Sequence, residues 1–304
     1  MNQKEDFSSL DLSSQIDELQ VFGSGIISTG DYERDLAISK DGHEIYYSYG
    51  NANQSRRALV YMNQVNGKWT TPSILPFSGQ FNDIEPFLSP DQNQLFFASN
   101  RPLPGEEEAG DYNIWFVERK AEGWDNPIAL DTLINTSTDE FYPAVTESGN
   151  LYFTATYESG IGREDIYVSE FINGSYVSPQ ALDTMINTGF FEFNAYVSPA
   201  EDMIVFSSFG REDGQGGGDL YLSKRDEEGN WTNAKNMGPR INSDRLDYCP
   251  FIDFERNNFY FTSNRQNIMH EKVGDFQEFQ EMIQGVGNGQ GDIYRIHLDA
   301  ILRQ

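Results

Sequence analysis

The chain has a single cysteine, Cys249, so it can form no internal disulfide and no cysteine-based metal site. Histidine is almost as scarce. With only His43, His270 and His297, a histidine-rich catalytic metal centre is not expected. Positive charge is also in short supply, with 21 Lys and Arg against 48 Asp and Glu and a formal charge of −27. So acidic a surface repels phosphate backbones and anionic headgroups, which argues against a nucleic-acid partner or a membrane-surface role. No apolar run approaches the roughly 20 residues that cross a bilayer, so no transmembrane segment is expected. No signal peptide is visible either. Met1 leads directly into NQKEDFSSLDLSSQ, a polar stretch that reads as a flexible tether over residues 1–18. Such a start suits the mature part of an exported protein whose targeting segment has been removed.

Aromatic residues, by contrast, are plentiful: 16 Tyr and 22 Phe help bring the aromatic share to 14%, which favours β-structure over a helical bundle. They recur in register. Five segments align: DLAISKDGHEIYYSYG from Asp35, EPFLSPDQNQLFFASNR from Glu85, YPAVTESGNLYFTATY from Tyr142, NAYVSPAEDMIVFSSFG from Asn194, and CPFIDFERNNFYFTSNR from Cys249. The equivalent positions Leu36, Pro86, Pro143, Ala195 and Pro250 lie 50, 57, 52 and 55 residues apart. Each unit reads as a strand, a polar turn and an aromatic strand. A third strand follows in every unit, for example EDIYVSEF at Glu164 and GDIYRIHL at Gly291, and a turn-preceded fourth follows in the first four.

Four short antiparallel strands repeated radially are the signature of a propeller blade. The expected fold is therefore all-β: a five-bladed β-propeller over residues 19–304, with blades beginning near 31, 81, 138, 190 and 245. The fifth unit lacks a fourth strand of its own. The segment LQVFGSGIIS, Leu19 to Ser28, is placed to supply it and close the ring.

These units resemble the WD40-like (PD40, TolB-type) β-propeller repeat, on SPD with FFASNR at Ser89 to Arg101, on the EDIYVSE and GDIY strands, and on stretches such as WDNPIALDTLINT. The resemblance covers about residues 19 to 298. It implies an exported bacterial protein, periplasmic or at the cell surface, that recognises a protein or peptide partner or a cell-envelope glycan. It does not specify the function, because propellers of this type host adaptors, glycan binders, lyases and peptidase-associated domains. The chain has no Gly-x-Ser-x-Gly elbow and no room for a separate hydrolase domain.

The most suggestive candidates form a ring. Glu33, Asp83, Glu140, Glu192 and Asp247 each stand three residues before the reference position, at the start of the innermost strand, and are expected near one mouth of the channel. Five residues before them lie Ser28, Ser78, Asn135, Asn187 and Asn242. One reading is an acidic funnel that binds a cationic peptide, a metal ion or a sugar. The other is structural, with each carboxylate accepting backbone N–H groups in the turn between blades. A catalytic alternative also stands: five-bladed glycosidases of the arabinanase style set three carboxylates from the first three blades around a pocket. By position those would be Glu33, Asp83 and Glu140, making the chain a carbohydrate-active hydrolase or lyase.

Arg101 and Arg265 follow strand ends as Ser-Asn-Arg, suited to an ion pair with a neighbouring blade or to anion recognition. Asp165, Asp219 and Asp292 recur at the start of third strands and read as turn stabilisers. REDGQGGGD, Arg211 to Asp219, has the flexibility of a calcium loop without its alternating carboxylates, so calcium is the only cofactor raised and none is expected. Departures from the repeat are more informative about function than the repeats, because binding residues favour irregular loops. In the fifth unit EKVGDFQEFQEMIQG forms a short amphipathic helix pattern through Val273, Phe276, Phe279 and Ile283, ending at Gly285. It either packs on the propeller or meets a partner. The acidic loop RPLPGEEEAGD occupies the equivalent junction of the second unit, so both loops should share a face.

Overall fold

The computed structural model describes residues 10–267 and 272–302; His270 lies outside them. The chain forms five antiparallel blades. Their innermost strands are Tyr32–Ile38, Asp83–Leu88, Glu140–Val145, Phe191–Val197 and Asp247–Asp253. Each pairs with an aromatic second strand and then a third, and the fourth strand is only two residues long in every blade. In the fifth blade that outer strand is Gln20–Val21, with Gln20 opposite Arg295 and Val21 opposite Tyr294, so the chain start closes the ring. Part of the expected tether is also fixed. Leu10 and Leu12 are buried between blades 5 and 1, because the Trp69 indole donates to the Leu10 carbonyl and Asn258 to that of Leu12.

The runs of adjacent aromatics have a packing explanation. A blade buries both faces of its sheet, so successive side chains enter different interfaces. Phe96 joins the core between blades 2 and 3, whereas Phe97 joins the core between blades 1 and 2. Likewise Tyr260 packs between blades 5 and 1, and Phe261 between blades 4 and 5. Each of the five blade interfaces has its own apolar cluster, including the one that closes the circle. Burying one such ring contributes roughly 1.5–3 kcal/mol, and the load is shared around the ring.

Every innermost strand breaks register at the same place. The residue just before the reference position, Asp35, Glu85, Tyr142, Asn194 or Cys249, adopts a left-handed conformation with φ between 51° and 62°. Each of these β-bulges re-aims one side chain. None of the five is glycine, and such a backbone state is costly for ordinary residues.

One end of the molecule carries the irregular chain. In blade 2 Asp83 pairs with Ser99 and Ser99 with Asn113, so the first strand's start, the second's end and the third's start coincide. The loops between second and third strands, spanning 51–56, 100–112, 156–164, 210–218 and, among the described residues, 264–267 and 272–291, therefore open on one face. The acidic loop and the inserted segment are both there. The helix Phe276–Gln284 is capped by Asp275, which accepts from the Glu278 amide. Asn288 donates both to the Ile283 carbonyl and to the Gly30 carbonyl, at 3.3 and 3.0 Å, which anchors the helix end over blade 1. A Cβ on Gly30 would lie 1.6 Å from the Gln284 carbonyl oxygen, so only glycine permits this approach.

Candidate functional site

The ring carboxylates stand at the loop-face end of the blades, and all five are fully buried. Each is bonded within its own turn. Glu33 accepts from the amide and hydroxyl of Thr29, Glu140 from those of Thr136, Glu192 from those of Thr188, and Asp247 from those of Ser243. Asp83 instead accepts the hydroxyls of Ser78 and Ser99, at 2.7 and 2.6 Å. The polar residue five positions upstream locks the preceding blade. Asn135, Asn187 and Asn242 each accept a third-strand amide and return a bond to the same residue's carbonyl, while Ser28 does this through its hydroxyl. The repeated motif thus stitches one blade to the next.

Arg101 and Arg265 pair with ring carboxylates of their own blades, Asp83 at 2.5 Å and Asp247 at 2.7 Å, and not with a neighbouring blade. Their link to the previous blade is a carbonyl, of Phe77 and Ile241 respectively. Arg211 does the same with Glu192, a role hidden in the sequence by one extra residue before the arginine. Glu33 and Glu140 have no arginine, and burial pushes both carboxyls up to about 7. In blade 3 Tyr157 takes the arginine's place, donating to the Ile134 carbonyl at 2.6 Å. The third-strand acids also serve turns: Asp165 accepts the Ile161 and Gly162 amides, Asp219 the Gln215 amide, and Asp292 the Gly287 amide. Within the glycine-rich loop Asp213 accepts the Tyr221 hydroxyl. Among the described residues no group of three or more His, Cys, Asp or Glu is placed to hold a metal ion.

The middle of the channel is filled by the bulge residues and their partners, an arrangement that the aligned repeats did not reveal. Arg34 of blade 1 pairs with Asp35 and with Glu85 of blade 2, both at 2.8 Å, and donates toward the Cys249 sulfur of blade 5. Glu85 in turn accepts the Tyr142 amide of blade 3 at 2.7 Å and the Asn194 amide group of blade 4 at 3.3 Å. One arginine and the two carboxylates it pairs with thus link all five blades on the axis. Burial pushes the Glu85 carboxyl up against the pull of Arg34, and holds the Cys249 thiol well above its usual range. The signal was present in the sequence as the position that differs in every repeat: Asp, Glu, Tyr, Asn, Cys.

The open features lie at the two ends. On the loop face a cleft of about 690 Å³ runs between blades 1 and 2, and Arg56, Arg57, Tyr49 and Phe81 are among its lining residues. At the opposite mouth a smaller cavity of about 260 Å³ is lined by Phe87, Tyr196, Phe251 and Phe254. The ring carboxylates line neither. Large exposed apolar side chains also gather on the loop face: Phe190 and Phe209 at blade 4, and Phe276, Phe279 and Ile283 on the inserted helix. The helix buries none of its residues, so its apolar stripe does not pack on the propeller.

No family model matches the sequence, and no curated protein does. Solved structures do resemble the fold. Putative TolB from Agrobacterium tumefaciens superposes with a TM-score of 0.50 at 14% identity, over 88% of this chain and 90% of that one. TolB from Acinetobacter baumannii gives 0.49 at 15% identity, over 87% of this chain; the chain spans 54% of that protein. The α-L-arabinofuranosidase PaAbf62A from Podospora anserina, in complex with cellotriose, gives 0.47 at 12% identity, over 90% and 92% of the two chains. Identities this low speak to the propeller fold alone. No helix among the described residues is long and apolar enough to cross a membrane.

Proposed function

We propose that this chain is an exported recognition module that binds a protein or glycan on its loop face without performing catalysis. The observation that carries the reading is the state of the ring carboxylates. All five are fully buried, all are held by hydroxyls or backbone amides of their own blades, and none lines the loop-face cleft or the cavity at the opposite mouth. A glycosidase needs an acid and a base facing an open sugar site, so Glu33, Asp83 and Glu140 support a structural role better than a catalytic one. Exposed apolar side chains, irregular loops and the larger cleft all favour the loop face as the working surface. Export rests on the resemblance of the repeats to the TolB type.

The two readings are separated by incubating the protein with a panel of plant and bacterial polysaccharides and following reducing ends. No turnover is expected, from wild type or from Glu140→Gln. Turnover that Glu140→Gln abolishes would sink the recognition reading and establish a hydrolase.

A further inference from the structure

We infer that the cleft between blades 1 and 2 binds a carboxylate-bearing sugar, a uronate within a glycan chain, through Arg57 and Arg56. The inference rests on the recognition reading and names the ligand class of that face. Its first support is charge. Neither arginine forms an ion pair among the described residues, although acids outnumber bases by more than two to one in the chain. Two guanidinium groups without a salt-bridge partner are a local inversion of sign in so acidic a protein, and both residues line a cavity that holds one carboxylate, Asp31.

The second support is that Arg57 is held ready and incompletely bonded. Its backbone amide donates to the Asn82 side chain at 2.9 Å, and the Asn82 amide donates to Asn100, which ties the two blades together at the cleft. Its guanidinium donates to the Tyr112 hydroxyl and lies 5.1 Å from the centre of that ring. Yet its Nε is buried and has no hydrogen-bond partner. A buried guanidinium donor without an acceptor is costly, and turning the head from Tyr112 toward the cleft would offer Nε and a terminal N–H group to a carboxylate there, whose two oxygens match the planar fork of arginine. Arg56 stands beside it on a loop that is bonded to itself, with the Arg56 amide donating to Asn51 and Asn51 to Ser55.

The third support narrows the ligand. Tyr49 presents a ring that is 37% exposed, and its hydroxyl donates to Asp31. A flat aromatic face beside neutral amides such as Asn100 suits the apolar face and hydroxyls of a sugar ring. The single carboxylate in the cleft, Asp31, has acceptor capacity left for a sugar hydroxyl. The field of the whole chain meanwhile disfavours densely charged polymers such as nucleic acid or polyphosphate, whereas spaced carboxylates meet less repulsion.

The test is isothermal titration of the full chain with defined tri- to hexasaccharides of galacturonic, glucuronic and mannuronic acid, and with the same oligosaccharides after carboxyl reduction. At least one acidic oligosaccharide is expected to bind, at least tenfold more tightly than its neutral counterpart. Arg57→Met, which keeps the apolar stem, is expected to lose at least tenfold and Arg56→Gln less. Phe254→Ala at the opposite mouth should bind as wild type does. Circular dichroism and thermal melting confirm that each variant is folded. Equal binding of acidic and neutral oligosaccharides, an unaffected Arg57→Met, or no binding of any acidic oligosaccharide would overturn the inference. Turnover of a bound oligosaccharide would overturn the recognition reading and leave the ligand assignment standing.

Discussion

Two sets of five residues, separated by only two positions in each repeat, behave in opposite ways. The ring carboxylates Glu33, Asp83, Glu140, Glu192 and Asp247 are nearly identical in type, and each is bonded within its own blade. The bulge residues Asp35, Glu85, Tyr142, Asn194 and Cys249 are all different, and they contribute to one shared network on the axis. The difference follows from symmetry. A device needed at every blade junction must be repeated, whereas five copies of one charge cannot meet at a point. Glu85 can accept from blades 1, 3 and 4 only because those blades offer a guanidinium, a backbone amide and an asparagine there. In this chain, repetition marks construction and departure from the repeat marks what is built once.

The strongest way to break that contrast is to remove the shared cation. Arg34→Met leaves Asp35 and Glu85 buried without their counter-charge, and a loss of about 3–5 kcal/mol is expected in urea denaturation. A loss below about 1 kcal/mol would mean that the axis does not hold the blades together. Removing one repeated site should cost less, because its partners are local. Asp83→Asn, which leaves Arg101 without its carboxylate, is expected to cost about 2–3 kcal/mol by the same measurement.

The repeated sites are themselves of two kinds, and pH separates them. Burial raises Glu33 and Glu140, which lack an arginine, from the ordinary 4.5 to about 7. A carboxyl raised on folding contributes stability that is complete below its unfolded pKa and is lost as pH rises through the folded value. Stability should therefore fall between about pH 4.5 and 7, and Glu140→Gln should remove on the order of 2 kcal/mol of that fall. An unchanged slope in the variant would show that general charge repulsion sets it. The smallest effect is expected on the inserted helix: Phe276→Ser, at a side chain 73% exposed, should change stability by no more than about 0.5 kcal/mol. A larger loss would mean that the helix packs against something after all.

Much of the fold was legible because blade construction is local and repeated. The spacing of Leu36, Pro86, Pro143, Ala195 and Pro250, the turns KDG to ERNN and the aromatic second strands are each set within about 15 residues. The borrowed outer strand was legible too, since the fifth unit visibly lacked one. The tether was misjudged over residues 10–18: Leu10 and Leu12 look isolated among polar neighbours, and their burial depends on a groove made by Trp69 and Asn258 far along the chain. The Ser-Asn-Arg ends suit either an ion pair with a neighbouring blade or anion recognition, but Arg101 and Arg265 pair instead with the carboxylates of their own blades. Arg211 was missed because its spacing differs by one residue. The cleft has no signal in the sequence, since Arg56 and Arg57 carry no motif and acquire meaning only beside Asn82 and Asn100.

The sequence by itself determined the all-β class, five units, the blade grammar and the face on which the long loops emerge. Each follows from periodicity and turn chemistry that act between near neighbours. Only the tertiary structure decided that the ring carboxylates are occupied, that the channel is filled by one arginine with two carboxylates joining five blades, and that two arginines stand in a cleft without a salt-bridge partner among the described residues. Those outcomes depend on which side chains from distant blades arrive at the same point, and closure of the ring sets that meeting.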